Sequence, residues 1–163
     1  MDKFNDMNTP LFSFNGVNCI SRIVDITDGD TLKAIISFKD EYYKIIVRLN
    51  DVDTCETKSK CEENKNLGIK AKLRMYNLIT DKIIDTYEND IIKKTIKKEL
   101  QDNCYLVYIK CYDFDKYGRV LGDIYKNEND EFNFSTILIN EKLAYKYTGK
   151  TKLTEKEQID LLK

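Results

Sequence analysis

The chain contains no histidine among its 163 residues. That absence excludes Ser–His and Cys–His nucleophile pairs, histidine-ligated zinc and any histidine general base. Acid–base chemistry falls to carboxylates, Lys, Tyr, Cys or a metal-bound water. Proline occurs once, at Pro10, and glycine six times, which excludes collagen-like and Pro/Gly-rich disordered classes. No apolar run is long enough to span a membrane, and Met1–Pro10 is polar, so neither a membrane span nor a signal peptide is expected. A surplus of positive charge is missing too, because 27 Lys and Arg face 28 Asp and Glu for a net charge of −1. Passive coating of nucleic acid is disfavoured, whereas an enzyme needing positive charge only at one phosphate is not. Five cysteines form an odd set without framework spacing, which points to reduced thiols and an intracellular setting.

What is present is a single domain's worth of amphipathic pattern, with 42% hydrophobic and 34% charged residues. Ile20–Ile26 alternates as a strand and stops at Thr27-Asp28-Gly29-Asp30, a tight-turn signal. Thr31–Phe38 and Tyr42–Leu49 continue as strands around the Lys39-Asp40-Glu41 break, giving an antiparallel meander. Glu56–Asn66 lacks a periodic apolar face and reads as a loop. Leu67, Ala71, Met75 and Leu78 then predict a helix to about Ile79. A second helical pattern covers 83–101, with Ile84, Tyr87, Ile91, Thr95 and Ile96 on one side and Lys93, Lys94, Lys97 and Lys98 opposite. Cys104–Tyr112 and Arg119–Tyr125 are strands separated by the Asp115–Gly118 turn. Asn133 is placed to cap a short helix, and Thr154 with Glu157 forms a capping box for a last one. Five strands with helix between the third and fourth is the order of an OB-fold. The expected class is therefore α+β, a five-stranded OB-fold β-barrel with helices and an inserted helix near 83–101. Residues 1–18 are expected as an N-terminal extension and 19–163 as one domain.

Two clusters of hard oxygen ligands fall at strand ends, Asp28-Gly29-Asp30-Thr31 and Asn50-Asp51-Val52-Asp53-Thr54-Cys55-Glu56. In a three-stranded meander the end of the first strand and the end of the third share one edge, so Asp28, Asp30, Asp53 and Glu56 are expected to converge. Crowded carboxylates repel unless a cation neutralises them, and an oxygen-only set suits Ca²⁺ or Mg²⁺. An EF-hand reading of Asp113–Ile124 fails, because Tyr117 and Ile124 stand where oxygen ligands belong. Arg48 and Arg119 sit at strand junctions near these acids. A guanidinium fork meets two phosphate oxygens at once and keeps its charge, as a phosphoryl-transfer transition state requires.

Asp28-Gly29-Asp30-Thr31, the run from Arg48 through Thr54-Cys55-Glu56-Thr57-Lys58, and Asp115-Lys116-Tyr117-Gly118-Arg119 resemble, in order, the signature segments of the staphylococcal nuclease family. The resemblance extends over most of Ile20–Lys150, including the helix from Leu67 and Leu143-Ala144-Tyr145. It implies that Asp30, Asp53 and the Thr54 backbone carbonyl hold one Ca²⁺, with Mg²⁺ or Mn²⁺ as substitutes, and that Asp28 acts through metal-bound water. Glu56 is implied as general base, Arg48 and Arg119 as phosphate-clamping catalytic groups, and Lys116, Tyr117, Tyr145 and Tyr147 as substrate contacts. The implied activity is a Ca²⁺-dependent endonuclease of little sequence specificity on DNA and/or RNA, leaving 3′-phosphate and 5′-hydroxyl ends. A monomer is expected. The chain departs from the family pattern at Cys55, where proline is usual, and in the longer stretch 80–103.

On this basis Glu56 accepts a proton from the attacking water, a role worth about 10²–10⁴ in rate. The alternative from another class is an inactive OB-fold module binding single-stranded nucleic acid or a protein partner, but such a module has no need of the acids and arginines retained here. A PD-(D/E)xK nuclease built on Asp30 and Glu56-Thr57-Lys58 would need a βαβ-like core, which the meander does not supply.

Overall fold

Strand alternation and two helical runs assemble a barrel with helices packed around it. The computed structural model describes residues 1–163. β1 (Asn18–Ile26), β2 (Thr31–Phe38) and β3 (Glu41–Leu49) form the expected antiparallel meander. Lys39 and Asp40 turn the second hairpin with φ of 52° and 64°, the left-handed pair that matches strand twist. β4 (Val52–Asp53) follows directly, then α1 (Glu62–Thr80), α2 (Asn89–Asp102), β5 (Tyr105–Phe114), β6 (Val120–Tyr125), α3 (Phe134–Asn140), β7 (Tyr145–Lys146) and α4 (Glu155–Leu162). The barrel closes in the order β1-β2-β3-β6-β5, with β3 and β6 parallel. β4 and β7 make a separate two-stranded sheet. This is the expected α+β architecture, a five-stranded OB-type barrel.

The register decides where the chemistry falls. Thr31 pairs with Arg48 across β2 and β3, and the Leu49 N–H donates to the Asp30 carbonyl at 2.8 Å. The β1–β2 turn and the β3–β4 junction therefore share one barrel edge. On the other side of β3, Arg48 pairs with Leu121, so Arg119 at the start of β6 is on the neighbouring strand.

Several expectations shift. α1 begins at Glu62, so the second half of the expected Glu56–Asn66 loop is helical; its first turn is carried by Glu62 and Glu63 at the positive end of the helix dipole and by buried Asn64. An asparagine and a glycine on the inward face hide that turn from an apolar-period reading. In the inserted region the helix is Asn89–Asp102, and its buried face is Ile92, Ile96 and Leu100. Ile83–Glu88 lie outside it, and Tyr87, Ile91 and Thr95 are exposed. The run Ile91-Ile92 offers two possible stripes, and the one spaced i, i+4, i+8 packs inward. Within the expected N-terminal extension, residues 1–18, Phe14 packs into the core. Phe14 is buried, and with Phe12, Phe38 and Phe114 it forms an edge-to-face and tilted aromatic cluster with centroids 5.1–6.1 Å apart. Both predicted caps are present: Asn133 accepts from the Thr136 N–H, and Thr154 with Glu157 forms a reciprocal capping box.

Two glycines let α1 press against both acid-bearing loops. A Cβ on Gly29 would lie 2.6 Å from the Ala71 Cβ, and one on Gly68 would lie 2.6 Å from the Cys55 carbonyl oxygen and 2.8 Å from the Glu56 carbonyl carbon. The second clash is with backbone, which cannot rotate away. Gly68→Ala is expected to destabilise the fold by about 1–3 kcal/mol through overpacking. Urea unfolding checks this, and a loss below about 0.5 kcal/mol would show that α1 has room to retreat.

Candidate active site

Arg48 is the centre of the site. Its side chain is buried between two aspartates, with Nη1 donating to Asp30 Oδ2 at 2.7 Å and Nη2 to Asp53 Oδ1 at 2.6 Å and to the Val52 carbonyl at 3.1 Å. Asp30 Oδ2 also accepts from the Thr54 N–H at 3.3 Å, and its Oδ1 from the Thr31 hydroxyl at 2.8 Å. Asp53 is wholly buried. Its Oδ2 accepts from the Tyr145 hydroxyl, while its Oδ1 is shared between Arg48 and Lys152, whose Nζ is 2.9 Å away. Lys152 also reaches Glu56 Oε1 at 3.2 Å. Asp28 Oδ1 accepts from the Thr57 hydroxyl at 2.7 Å.

Burial and pairing divide the two aspartates electrostatically. Burial raises the Asp30 carboxyl above its ordinary value, and Arg48 and Thr31 offset only part of that. Burial acts the same way on Asp53, but bonds from Tyr145, Arg48 and Lys152 outweigh it and hold that carboxyl below its ordinary value. Burial works against the Arg48 charge, yet Asp30 and Asp53 raise its pKa further. Lys152 is likewise pushed up by Asp53 and Glu56 against its burial.

Arg119 is aimed by a separate acid. Asp115 Oδ2 accepts from Arg119 Nε at 2.7 Å and lies 2.6 Å from Nη2, and its Oδ1 takes the backbone N–H groups of Tyr117 and Arg119, each at 2.9 Å. The guanidinium lies 5.5 Å from the Tyr117 ring centroid. Arg48, Arg119, Asp28, Asp30, Thr54, Glu56, Tyr117 and Lys152 line one cleft of about 410 Å³. Arg48, Tyr117, Arg119 and Lys152 form the wall it shares with an adjoining groove of about 440 Å³, which adds Lys116, Tyr147 and Lys150. Of the four acids expected to converge, Asp28, Asp30 and Glu56 line this cleft with the two arginines, while Asp53 is buried against Arg48 and Lys152.

Tyr145 differs from its expected place as a substrate contact. It is buried, and its hydroxyl donates to Asp53 and accepts from Gln158 Nε2 at 3.2 Å, so it positions the aspartate. Tyr117 is exposed, with Lys116 Nζ 5.1 Å from its ring centroid. Tyr147 flanks Arg48 at 5.8 Å, and its hydroxyl bonds the Lys150 carbonyl at 2.7 Å. Cys55, at the position where proline is usual, is buried with its sulfur 3.3 Å from Asn64 Nδ2, which also donates to Gln158 Oε1 at 2.8 Å. That network pins the Glu56 loop to α1 and α4 by another route. Lys152, Asn64 and Gln158 belong to the site without any sequence signal near its motifs. Asp115 carried a hint, as the start of the Asp115–Arg119 segment.

A closed five-stranded barrel whose β3–β6 edge presents two acid-oriented arginines to a carboxylate cleft is the architecture of a nuclease-like OB-fold protein. The family model for staphylococcal nuclease homologues matches residues 46–163, and the chain belongs to that family. The matched span holds Arg48, Asp53, Glu56 and Arg119, while Asp28 and Asp30 join them through the β2–β3 register. No curated protein matches the chain. The family is one of nucleases acting on nucleic acid. No helix is long and apolar enough to cross a membrane.

The two aspartates predict opposite responses. Asp30, with a raised folded-state pKa, contributes stability at low pH that is lost as pH rises from the ordinary carboxylate value, about 3.9, through the folded value. Asp30→Asn is therefore expected to raise the thermal midpoint at pH 7. Asp53, with a lowered pKa, contributes stability that is full above about 3.9 and lost as pH falls. Asp53→Asn leaves Arg48 and Lys152 short of a partner and is expected to cost about 3–5 kcal/mol. Thermal melts of both variants between pH 4 and pH 8 check the pair, and shifts of the same sign at pH 7 would contradict it.

Proposed function

We propose that this protein is a hard-cation-dependent phosphodiesterase that cleaves DNA and/or RNA internally with little sequence preference. The observation that carries the reading is the shared cleft, in which Arg48 and Arg119 face the carboxylates of Asp28, Asp30 and Glu56. The donor chemistry fits a hard cation, since the cleft offers carboxylate and backbone oxygens with neither imidazole nor thiolate. Asp28 Oδ2 and Glu56 Oε2 accept no hydrogen bond from the protein. Asp30 and the Thr54 backbone would hold a Ca²⁺, Mg²⁺ or Mn²⁺ ion, joined by Asp53, with Asp28 acting through water. Such an ion polarises a phosphate oxygen and assists loss of a proton from water.

The chain's own groups do the rest. Arg48 and Arg119 are fixed by Asp30, Asp53 and Asp115, so their donors need no reorganisation when negative charge builds on the phosphoryl oxygens. Glu56 has one oxygen free to take the proton of the attacking water. Attack in line with the P–O5′ bond breaks that bond and leaves 3′-phosphate and 5′-hydroxyl ends. Tyr117 and Tyr147, with Lys116 and Lys150, line the adjoining groove, where stacking and phosphate contacts tolerate any base. Both clefts are complete within one chain, which suits a monomer. Buried thiols at Cys55 and Cys111 suit a reducing, intracellular compartment.

Single-stranded DNA, duplex DNA and RNA incubated with the protein in Ca²⁺ or in excess chelator test this. Wild type is expected to cleave only with the cation, and Glu56→Gln and Arg119→Ala each to lower the rate by about 10²–10³. Intact substrate from wild type with binding retained would favour an inactive nucleic-acid-binding module.

A further inference from the structure

Lys152 enters the carboxylate cluster from the segment between β7 and α4, which none of the signature motifs includes. It is not a loose surface lysine. The Tyr147 hydroxyl holds the Lys150 carbonyl at 2.7 Å on one side, and Gln158 Nε2 holds the Leu153 carbonyl at 2.9 Å on the other. Between these anchors the ammonium is delivered to Asp53 Oδ1 at 2.9 Å and Glu56 Oε1 at 3.2 Å. Its own side chain stays 46% exposed, whereas Asp53 has no exposure. Of the three side chains holding Asp53, Lys152 alone has an open path back to solvent.

The charge balance of the cleft gives this contact a role. Asp28, Asp30, Asp53 and Glu56 bring four carboxylates together, and only Arg48 and Lys152 oppose them within ion-pair distance. Arg119 is engaged by Asp115. Lys152 holds one oxygen of Asp53 and one of Glu56. An ammonium and a divalent cation cannot occupy the same oxygens at once. Arg48 cannot leave without stranding Asp30, so Lys152 is the group that yields.

We propose that Lys152 is a tethered counter-ion that occupies Asp53 and Glu56 until a divalent cation displaces it. This rests on the reading of the cleft as a hard-cation site. One event then does two things: it opens Asp53 to the cation, and it frees Glu56 from an ion pair that would oppose its protonation. Because the competitor is on the same chain, its effective concentration is in the millimolar range for a short tether, and the apparent affinity for the cation falls by the fraction of time the tether is closed.

Calorimetric titration of Ca²⁺ into the nucleic-acid-free protein tests this without any activity readout. Lys152→Gln is expected to bind Ca²⁺ about 10-fold more tightly than wild type, while Lys152→Arg and the nearby exposed-residue variant Lys156→Gln stay within about 2-fold of it. Hydrogen exchange of the wild-type chain supplies a second measure that needs no variant, with amides 149–153 exchanging faster once Ca²⁺ saturates. Equal or weaker Ca²⁺ binding by folded Lys152→Gln, or unchanged exchange at 149–153 on saturation, overturns the tether while leaving the cation site standing. Binding of no Ca²⁺, Mg²⁺ or Mn²⁺ by either protein overturns the cation reading beneath it.

Discussion

One guanidinium makes the rest of this site possible. Asp30 and Asp53 are both buried at the same barrel edge, and two carboxylates so placed repel each other and lose their hydration. Arg48 answers both, with one Nη on each. Removing Arg48 from such a buried set is expected to cost about 3–5 kcal/mol, because both carboxylates would be left as unpaired charges away from water. The register of β2 against β3 puts Thr31 opposite Arg48 and so fixes Asp30 beside it, while Asp53 follows five residues on along the chain. The barrel thus needs Arg48 to tolerate its acids, and the acids hold Arg48 in the one direction that faces the cleft.

Around that triad the fold builds outward in polar steps. Asp53 is held by Tyr145, Tyr145 by Gln158, and Gln158 by Asn64, which also touches the Cys55 sulfur. A chain of hydrogen bonds in a low-dielectric interior binds β4, β7, α4 and α1 to one carboxylate. Gly29 and Gly68 let α1 approach closely enough to complete it. The interior side of the site is therefore stiff. Its solvent side, formed by Glu56, Tyr117 and Lys152, is not buried, and the chemistry is expected there.

The legible part of this arrangement is the part written locally. Asp28-Gly29-Asp30-Thr31 announces a turn and two acids within four residues, and Arg48 to Glu56 places an arginine and three acids within nine. Strand alternation in β1, β2 and β3 then suffices to bring them to one edge. Lys152 is 96 residues from Glu56, and Gln158 is 94 from Asn64, so nothing in either neighbourhood signals the partner. Tyr145 misleads for a different reason. A tyrosine beside a groove has the same signature whether its ring meets a base or its hydroxyl meets a buried acid, and burial alone separates the two. The α2 face was similarly open, since adjacent isoleucines at 91 and 92 fit two stripes and only the packing against the barrel selects Ile92, Ile96 and Leu100.

The near-zero net charge follows from how the cations are deployed. Each guanidinium that faces the cleft is fixed by carboxylates, Arg48 by Asp30 and Asp53 and Arg119 by Asp115. Their fields are then those of paired charges, strong at hydrogen-bond distance and weak beyond a Debye length of about 8–10 Å. A polyanion at a distance meets no large positive patch, while a phosphate inside the cleft meets donors already aimed at it. Orientation is obtained by giving up long-range attraction. The missing histidine belongs to the same economy. With no side chain whose unperturbed pKa lies near neutrality, the charge of the buried acids Asp30 and Asp53 is governed by burial and ion pairing.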